Sequence, residues 1–403
     1  MNELVITSYQ KHKISAFFED GKMTQVSAFS EEEGRRLGNI YVGRVDHIVK
    51  NINAAFVNIE EQCSCYLDLA TVRQPLFVRH QSEKRICIGD EILVQLIREE
   101  VKTKAPVVTT NLSLTGKYVI LVHGGSGIQV SKKILPKSLK AKLKEQLASY
   151  AGEAYGIVVR TNAMYAKEQD ITEELKQLLA EYEKLREHGI HQSRYSVLSQ
   201  ELPAYLGQLR DIRANQLDRI VTDQEPLLAE IRSYLSAYPC TAADGRTTAV
   251  ESVAEHAEIV YRYRLNHFMD LAIRRVIYLN SGASLVIDRA EAMTVIDVNT
   301  GKAISGKKTV EQTFFTINLE AAREIAYQLR LRNLSGIILI DFINMEEEQH
   351  RTELMQELKR LFQEDPVQTE LVDVTRLGLV EVTRKKVQKS LSEQLSEKEA
   401  CRM

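Results

Sequence analysis

Two apolar strands that each end in an aspartate constrain the fold of this chain more than any other feature of its sequence. The strand MTVID ends at Asp297, and the strand GIILID ends at Asp341. A helical pattern near 318–333 lies between them and another near 346–363 follows, so strand and helix alternate. Alternation of this kind predicts a layered α/β unit. SLVID precedes MTVID by the short link RAEA, which predicts a hairpin.

The two aspartates are candidate metal ligands. Side chains at the ends of neighbouring strands face the crevice in which α/β folds bind ligands. Two close carboxylates repel each other unless a cation lies between them, and Mg²⁺ prefers hard oxygen ligands. Asn299 lies two residues after Asp297 and faces the same way on an extended backbone. Its amide is a candidate to hold a phosphate oxygen or an attacking water. Aspartate at a strand end is also ordinary turn chemistry, and the residues alone leave both interpretations open.

Short strands recur between residues 36 and 105 and predict a small closed barrel of the OB type. Such barrels bind single-stranded nucleic acids by stacking bases on exposed aromatic rings, at about 1–3 kcal/mol per base. Phe56 in NAAFVNI and Tyr66 in CYLDL are the candidate rings, and Lys104 in REEVKTKAP is a candidate phosphate ligand. The alternative for Phe56 is an ordinary place in the barrel core.

A glycine-rich stretch and an Arg-Thr pair form a second candidate for binding an anion. The stretch HGGSGIQVSKK can form an anion nest from its backbone N–H groups, although it lacks the spacing of a P-loop. Arg160 and Thr161 end the strand GIVVRT and offer a fork of donors and a hydroxyl to phosphate. Taken alone, the glycine-rich stretch is more simply explained as an ordinary flexible turn.

Length and composition restrict the class of protein. The 403 residues carry a formal net charge of -2, with 44% hydrophobic and 27% charged residues. This balance excludes disorder as the main state and excludes a wholly basic nucleic-acid coat. No apolar run approaches the ~18–20 residues of a membrane span, and the start, MNELVITSYQKHK, has no signal-peptide pattern. Five widely spread cysteines predict reduced thiols and a cytoplasmic location.

The segments IDVNTGKA and INLEAAREIAYQLRLRNLSGIILIDFINM closely resemble the bacterial ribonuclease E/G family. The match continues in SGASLVID before them and in TRLGLVEVTRKK after them, and it covers the chain up to residue 395. The resemblance implies an α/β and β architecture of several subdomains. An RNase-H-like subdomain contains an inserted OB-fold barrel of the S-one type and a five-prime sensor, and a DNase-I-like α/β catalytic subdomain follows.

The implied subdomain boundaries follow the chain in a simple order. The RNase-H-like subdomain is expected in two parts, at 1–35 and 201–275. The barrel is expected at 36–110 and the five-prime sensor at 111–200. The catalytic subdomain is expected at 276–395, followed by a tail at 396–403.

The resemblance also implies a role for each candidate residue. Asp297 and Asp341 are implied to bind the catalytic Mg²⁺, with Mn²⁺ as an alternative, and Asn299 to support them. The residues implied to contact RNA are Phe56, Tyr66 and Lys104. Those implied to bind a five-prime monophosphate are Gly127, Val130, Arg160 and Thr161. The chain departs from the family pattern at Asn344 and at Asn162-Ala163.

The implied function is that of a metal-dependent endoribonuclease acting in RNA processing and decay. It is expected to cleave single-stranded RNA, to favour five-prime monophosphorylated ends, and to leave five-prime phosphate and three-prime hydroxyl products. The alternative is a non-catalytic RNA-binding or ribosome-associated protein on the same scaffold. A nuclease acting on DNA is a weaker third interpretation.

Zinc is not expected in this chain. Longer family members continue with a C-P-x-C zinc link between protomers and a small C-terminal domain, whereas this sequence offers only Cys401 in EACRM. A homo-oligomer formed through a zinc link is therefore not expected, and oligomerisation through another surface stays open.

Overall fold

The computed structural model describes residues 1–29, 37–78, 85–100, 105–213, 216–242, 244–301 and 309–400, with side chains described up to residue 396. The chain divides into two compact units. Unit 1 comprises Met1–Ser30, Leu217–Ser233 and Thr247–Met403, and unit 2 comprises Glu31–Gln216 and Tyr234–Arg246. Each unit is therefore built from separate stretches of sequence.

The strands of the described residues follow one another in chain order. They are β1 Asn2–Tyr9, β2 His12–Glu19, β3 Lys22–Phe29, β4 Ile40–Val49, β5 Ala54–Glu60, β6 Cys63–Asp68, β7 Glu91–Arg98, β8 Val107–Thr109, β9 Ser113–Thr115, β10 Val119–His123, β11 Ile128–Val130, β12 Tyr155–Val159, β13 Val197–Ser199, β14 Arg219–Thr222, β15 Ala249–Ser252, β16 Val276–Tyr278, β17 Ser284–Arg289, β18 Met293–Asn299, β19 Gly336–Asp341, β20 Thr369–Val374 and β21 Val380–Arg384.

The α-helices are numbered in the same way. They are α1 Lys137–Leu147, α2 Glu168–His188, α3 Ala204–Asp211, α4 Glu225–Ala237, α5 His256–Arg262, α6 Leu265–Ile273, α7 Val310–Leu331, α8 Glu348–Glu364 and α9 Leu391–Ala400. Within the described ranges, no helix has both the length and the apolar composition needed to cross a bilayer.

The first sheet of unit 1 has the strand order β15-β14-β1-β2-β3. Strands β1, β2 and β3 form an antiparallel meander, whereas β14 and β15 continue the sheet in parallel with β1. The turn between β2 and β3 contains Asp20 and Gly21, both at positive φ, as a tight two-residue hairpin turn requires. The buried side chains of this unit include Val5, Ile14 and Phe268.

The second sheet of unit 1 has the order β16-β17-β18-β19-β21-β20. Helices α7 and α8 contribute Ile325 and Leu358 to the same core as Ile296 and Ile338 of the sheet. The predicted α/β layering and the predicted hairpin of β17 with β18 are both confirmed. Helix α7 begins earlier than the sequence pattern indicated, because Thr309 caps it by accepting a hydrogen bond from the Gln312 N–H.

Unit 2 contains a closed five-stranded barrel. The strands follow the order β4-β5-β6-β8-β7, and pairing of β7 with β4 closes the ring. Strand β13 extends the sheet beside β4. A Cβ atom added to Gly43 would lie 2.6 Å from a methyl group of Val57, so only glycine fits there. The closed barrel predicted from the sequence is confirmed.

A second sheet of unit 2 has the order β11-β12-β10-β9. Helix α2 packs on it, and Leu175 and Tyr182 of that helix share a core with Leu121 and Ile157 of the sheet. Apolar residues at helical spacing along α2 account for its one buried face. The stretch 167–188, KEQDITEELKQLLAEYEKLREH, carries apolar residues at helical spacing with charges between them. This pattern predicts an amphipathic helix, and α2 confirms it.

Candidate functional site

Asp297 and Asp341 stand side by side on two strands of unit 1, Asp341 at the end of β19 and Asp297 two residues before the end of β18. Strands β18 and β19 are parallel, and their register pairs Asp297 directly with Asp341. Neighbouring strands lie about 4.8 Å apart, and residues opposite each other project to the same face of the sheet. From the sequence, the two carboxylates are expected to converge only if their strands are neighbours in the sheet. The structure shows that β18 and β19 are neighbours.

Asn299 fixes the orientation of one of the two carboxylates. Its side-chain Nδ2 donates a hydrogen bond to Asp297 Oδ2 over 2.8 Å. The two residues are one alternation apart on β18 and therefore share a face. Asp297 is half-buried, whereas Asn299 and Asp341 are exposed. The three side chains form a small polar group that a ligand can reach from solvent.

The face of the sheet that carries these residues is not covered by α7 or α8. The helices pack on the opposite face, where Ile296 and Ile340 are fully buried. On the carboxylate face, Val295 keeps 37% and Ile337 49% of its surface exposed. The carboxylate pair thus lies on a sheet face whose neighbouring side chains are partly open to solvent.

A buried asparagine anchors the chain immediately after Asp341. Asn318 of α7 is fully buried, and its Nδ2 donates to the Ile343 carbonyl over 2.8 Å. The Ile343 N–H donates in return to Asn318 Oδ1 over 3.1 Å. These two hydrogen bonds fix the backbone N–H and carbonyl of Ile343, in the loop that follows Asp341.

A carboxylate from the same helix holds the next part of that loop. Glu311 accepts hydrogen bonds from the backbone N–H groups of Glu346 and Glu347. These contacts, that of Glu346 first, and the neighbouring His350 hold the pKa of Glu311 below its ordinary value. Helix α7 therefore carries two of the supports for the segment between β19 and α8.

The donor set fits a hard divalent cation. The register brings two carboxylates together. The neighbouring amide of Asn299 adds one oxygen and one nitrogen, so the group contains no sulfur. Mg²⁺ usually binds one or two carboxylates and completes its shell with water and phosphate oxygens. In the part of the chain that the structure describes, no three histidine, cysteine or acidic side chains are placed to hold a metal together. Asp297 and Asp341 are thus the residues that could hold such a cation.

The candidate aromatic residues of unit 2 lie on the outside of the barrel. Phe56 and Tyr66 are directly opposite each other on β5 and β6, with ring centroids 6.1 Å apart at 84°. Both are half-buried, whereas Ala55 and Val57 on either side of Phe56 are fully buried in the core. Phe56 therefore does not belong to the barrel core, which was the alternative interpretation of its sequence.

A histidine that the sequence analysis missed extends this aromatic surface. The ring of His47 stacks on Phe56 at 4.5 Å and 11°. A bulge between Val45 and His47 shifts the register of β4 against β5, and it places Asp46 and His47 outward in succession. Simple alternation would not have identified His47, because the bulge is not visible in the sequence. Lys104 lies outside the described residues, as does Cys401.

Arg160 lies at the end of β12 in unit 2 and is already engaged by two acceptors. Its guanidinium donates to the Gly116 carbonyl over 2.7 Å and to Asp211 Oδ1 over 2.6 Å. The side chain of Arg160 is 22% exposed and that of Asp211 49%. The arginine is thus held in a fixed place while part of its donor fork still faces solvent.

The parallel pairing of β11 with β12 brings two further candidates to Arg160. Val130 is the partner of Val159, which precedes Arg160. The Thr161 hydroxyl is 3.0 Å from that of Ser131, the residue after Val130. Ser131 was missed because a serine after a short strand carries no distinct sequence signal.

Gly127 lies at the other end of β11. Its carbonyl accepts a hydrogen bond from the Ile157 N–H over 2.9 Å, near the start of β12. At about 3.3 Å per strand residue, the three steps to Val130 correspond to about 10 Å. The structure therefore groups Val130, Arg160 and Thr161 and places the backbone of Gly127 apart from them.

A buried glutamate supports the turn that holds Arg160. Glu174 of α2 accepts hydrogen bonds from the backbone N–H groups of Lys117, Tyr118 and Val119 at 2.5–3.0 Å. Burial raises the pKa of Glu174, and these three hydrogen bonds oppose that rise. A Cβ atom at Gly116 would lie 2.5 Å from the Glu174 carboxyl carbon, so any larger residue there would displace that carboxylate.

Comparison with known proteins gives consistent results across the chain. The model of the family described as "Ribonuclease E/G family" matches residues 113–387, a stretch that includes Arg160, Asp297 and Asp341. Ribonuclease G of Salmonella typhimurium (strain SL1344) is 32% identical over 402 residues, which cover 96% of this chain and 81% of that protein. Ribonuclease G of Escherichia coli (strain K12) is 31% identical with the same coverage. Ribonuclease E of Nostoc sp. (strain PCC 7120 / SAG 25.82 / UTEX 2576) is 30% identical over 94% of this chain and 55% of that protein. The chain belongs to the ribonuclease E/G family.

Proposed function

We propose that this protein is a metal-dependent endoribonuclease that cleaves single-stranded RNA in RNA processing and decay. The observation that carries the proposal is the register of β18 and β19, which aligns Asp297 with Asp341 on an open sheet face. Relatives that match over most of the chain are named ribonuclease G. An intact carboxylate pair favours a catalytic protein over a non-catalytic RNA-binding one.

Asp297 and Asp341 are the residues that would hold Mg²⁺, with Mn²⁺ as an alternative. When bound, such a cation neutralises charge at a phosphate and activates water for attack on it. Asn299 keeps the Asp297 carboxylate in one orientation through its hydrogen bond. The exposed sheet face admits the sugar-phosphate backbone beside the pair. Attack by water breaks the bond between phosphorus and the three-prime oxygen, and the products carry a five-prime phosphate and a three-prime hydroxyl.

RNA binding is assigned to the outer aromatic surface of the barrel, formed by His47, Phe56 and Tyr66. Bases stack on exposed rings at about 1–3 kcal/mol each, without strong dependence on sequence. The half-buried rings are held by their cross-strand contact and by the stacked histidine, so little side-chain freedom is lost on binding. Lys104 is retained in the proposal as a phosphate ligand.

We further infer that Arg160, Thr161 and Val130 bind a five-prime monophosphate, with Gly127 as the less well supported member. The support is the grouping of the first three at the end of the β11–β12 pair. A phosphate there has to share the Arg160 guanidinium with Asp211 or displace that carboxylate. End binding raises the effective concentration of the rest of the RNA at the cleavage site, which would favour monophosphorylated substrates.

The same proposal covers the identities of the subdomains. The order β15-β14-β1-β2-β3, with an antiparallel meander followed by parallel strands, supports an RNase-H-like subdomain in two parts. The second sheet of unit 1, with helices on one face, supports the DNase-I-like assignment. The boundaries given above for the subdomains are proposed with them.

The test is cleavage of one short, AU-rich, single-stranded RNA carrying either a five-prime monophosphate or a five-prime hydroxyl. Each RNA is incubated with Mg²⁺, with EDTA, and with the variants Asp297→Asn and Asp341→Asn. Asp288→Asn is the matched control, because Asp288 also lies near a strand end of this sheet but pairs with Arg275 instead.

Mg²⁺-dependent cutting that is lost in both variants and kept in the control supports the metal pair. Turnover that persists in both variants overturns the assignment. Cutting without preference for the monophosphate keeps the nuclease and removes the sensor. Salt-sensitive binding without any cutting supports the RNA-binding alternative.

A further inference from the structure

A lysine and a cysteine form a buried pair in unit 2. Lys117 and Cys240 each keep only 1% of their surface exposed. The Lys117 Nζ lies 2.9 Å from Cys240 Sγ, and its other acceptor is the Pro239 carbonyl at 3.4 Å. These residues lie far apart in sequence, and both belong to unit 2. Neither residue is used by the proposed ribonuclease activity.

The surroundings of this lysine are unusual for a buried amine. Among the described residues, no carboxylate lies within ion-pair distance of Lys117 Nζ. Burial of an unpaired charge carries a large free-energy cost. Because no carboxylate is close, the polar partners of the Lys117 amine are the Pro239 carbonyl and the Cys240 sulfur. Its nearest polar neighbour is the thiol sulfur of Cys240.

A cavity borders the lysine of this pair. The cavity has a volume of about 190 Å³ and is lined in part by Lys117, Tyr234 and Tyr238. One water molecule takes up about 30 Å³ of liquid, so a peroxide molecule fits easily. Lys117 therefore borders a space large enough for a small oxidant, and Cys240 Sγ lies 2.9 Å from the Lys117 nitrogen.

We propose that Lys117 and Cys240 are a modification site at which a peroxide forms a covalent crosslink between the lysine nitrogen and the cysteine sulfur. In the first step, the sulfur attacks one peroxide oxygen and the oxygen–oxygen bond breaks. The thiol and hydrogen peroxide become a sulfenic acid and one water, so sulfur is oxidised by two electrons and peroxide is reduced by two.

The second step joins the two side chains. The lysine nitrogen attacks the sulfenic sulfur, the sulfur–oxygen bond breaks, and the hydroxyl leaves as water with one amine proton. The product is a nitrogen–sulfur bond of the sulfenamide type. Alternatively, the sulfenic acid and the amine consume a second peroxide and release two waters, which leaves one oxygen between nitrogen and sulfur. Reacting atoms at about 3–3.5 Å are in a near-attack arrangement, and this pair is as close as that.

The crosslink would join the Gly116–Lys117 turn to the segment around Cys240. That turn also supplies the carbonyl that binds Arg160. The crosslink itself depends only on the Lys117–Cys240 pair. Any effect of the crosslink on five-prime recognition would rest on the proposed function, whereas the mass-spectrometric test below does not.

The test is mass spectrometry of the full chain after treatment with hydrogen peroxide and digestion without reductant. We expect peptides containing residues 117 and 240 to appear as one species. Compared with the summed masses of the two separate peptides, the direct bond gives a species lighter by two hydrogens. The oxygen-bridged product gains one oxygen and loses two hydrogens. Dithiothreitol is expected to restore both separate peptides.

The chain supplies its own controls. Cys87 is exposed and reports that the oxidant reached the protein, and Cys87→Ser should leave the crosslink intact. Lys117→Met and Cys240→Ser should each abolish it. If Cys87 is oxidised while Cys240 stays a free thiol, or becomes a sulfinic or sulfonic acid beside an unmodified Lys117, the proposal is overturned. These masses decide the question in the wild-type protein even if a variant fails to fold.

Discussion

Asp297 and Asp341 occupy the same register position on two parallel strands. A parallel pair needs a crossover between its strands, and here helix α7 lies between them in sequence. The spacing between the two carboxylates is therefore set by backbone hydrogen bonds of the sheet. Neither position depends on a flexible loop.

Replacing either member of this pair should stop catalysis while leaving the fold intact. Loss of an outer partner of a metal ligand costs about 10–100-fold, and loss of a ligand itself should exceed that. The single-turnover cleavage rates of Asp297→Asn and Asp341→Asn are expected to be at least about 100-fold below that of the wild type. Their circular dichroism spectra should be unchanged. Wild-type rates in either variant would contradict the prediction, as would an equal loss in Asp288→Asn.

Asn318 should act as a positioning residue for the metal pair. Asn318→Ala leaves both backbone groups of Ile343 without their partner, at about 1–3 kcal/mol for each buried unsatisfied group. We expect a lower unfolding midpoint and a higher Mg²⁺ concentration at half-maximal cleavage. Ile325→Val, a mild core change on the same helix, is the control for stability alone. An Asn318→Ala protein with the Mg²⁺ dependence of that control would reduce Asn318 to a purely structural role.

The aromatic surface of the barrel should contribute binding energy without contributing to chemistry. Phe56→Ala is expected to weaken binding of a single-stranded RNA by about 1–3 kcal/mol, or roughly 5–150-fold. Tyr66→Phe keeps the stacking face and should bind almost as well as the wild type. Equilibrium binding at one fixed salt concentration checks both, because affinity for RNA varies steeply with salt. Equal weakening in both variants would refute stacking as the cause.

Asp211 should compete with RNA for Arg160. Arg160→Gln is expected to lower the preference for monophosphorylated RNA by about 10-fold or more, since hydrogen bonds to charged groups contribute about 1.5–3 kcal/mol. Asp211→Asn removes a partly exposed ion pair worth about 0.2–1 kcal/mol, and should raise that preference up to about 5-fold. Competitive cleavage of the two RNA forms measures both effects. Arg246→Gln, which breaks an exposed arginine–aspartate pair of the same unit, should change neither.

Glu357 should make the stability of unit 1 depend on pH in acid. Hydrogen bonds from Arg360 and Arg323 lower its pKa from 4.5 to about 2. A lowered folded-state pKa stabilises the fold above the unfolded value, and this stability is lost as pH falls from 4.5 towards 2. Glu357→Gln should therefore lower the denaturation midpoint at pH 6 more than at pH 3. If the difference in midpoint between wild type and Glu357→Gln is the same at pH 3 and pH 6, the prediction is wrong. The same pH dependence in Glu364→Gln would also contradict it.

Much of the fold could be predicted from the sequence because its signals are local. Alternating apolar residues marked β17 and β18, and the short link between them fixed a hairpin. Helical spacing of apolar residues marked α2 almost to the residue. The strand-end position of Asp297 and Asp341 was also readable, since each closes an apolar run.

The contacts that support the candidate sites could not be predicted in the same way. Asn318 meets Ile343 across 25 residues, Arg160 meets Asp211 across 51, and Lys117 meets Cys240 across 123. No periodic pattern encodes such pairs, because only the packed fold brings them together. His47 escaped for a different reason, a bulge that breaks the alternation of β4.

The shared register of the two metal candidates has a consequence for how these strands can vary. Successive strand residues face opposite sides of the sheet, so a shift of one residue turns every later side chain over. A single-residue insertion within Gly336–Asp341 would carry Asp341 to the face covered by α7 and α8 and bring an apolar side chain into its place. Strands β18 and β19 thus cannot change length by one residue before their aspartates without separating the two carboxylates.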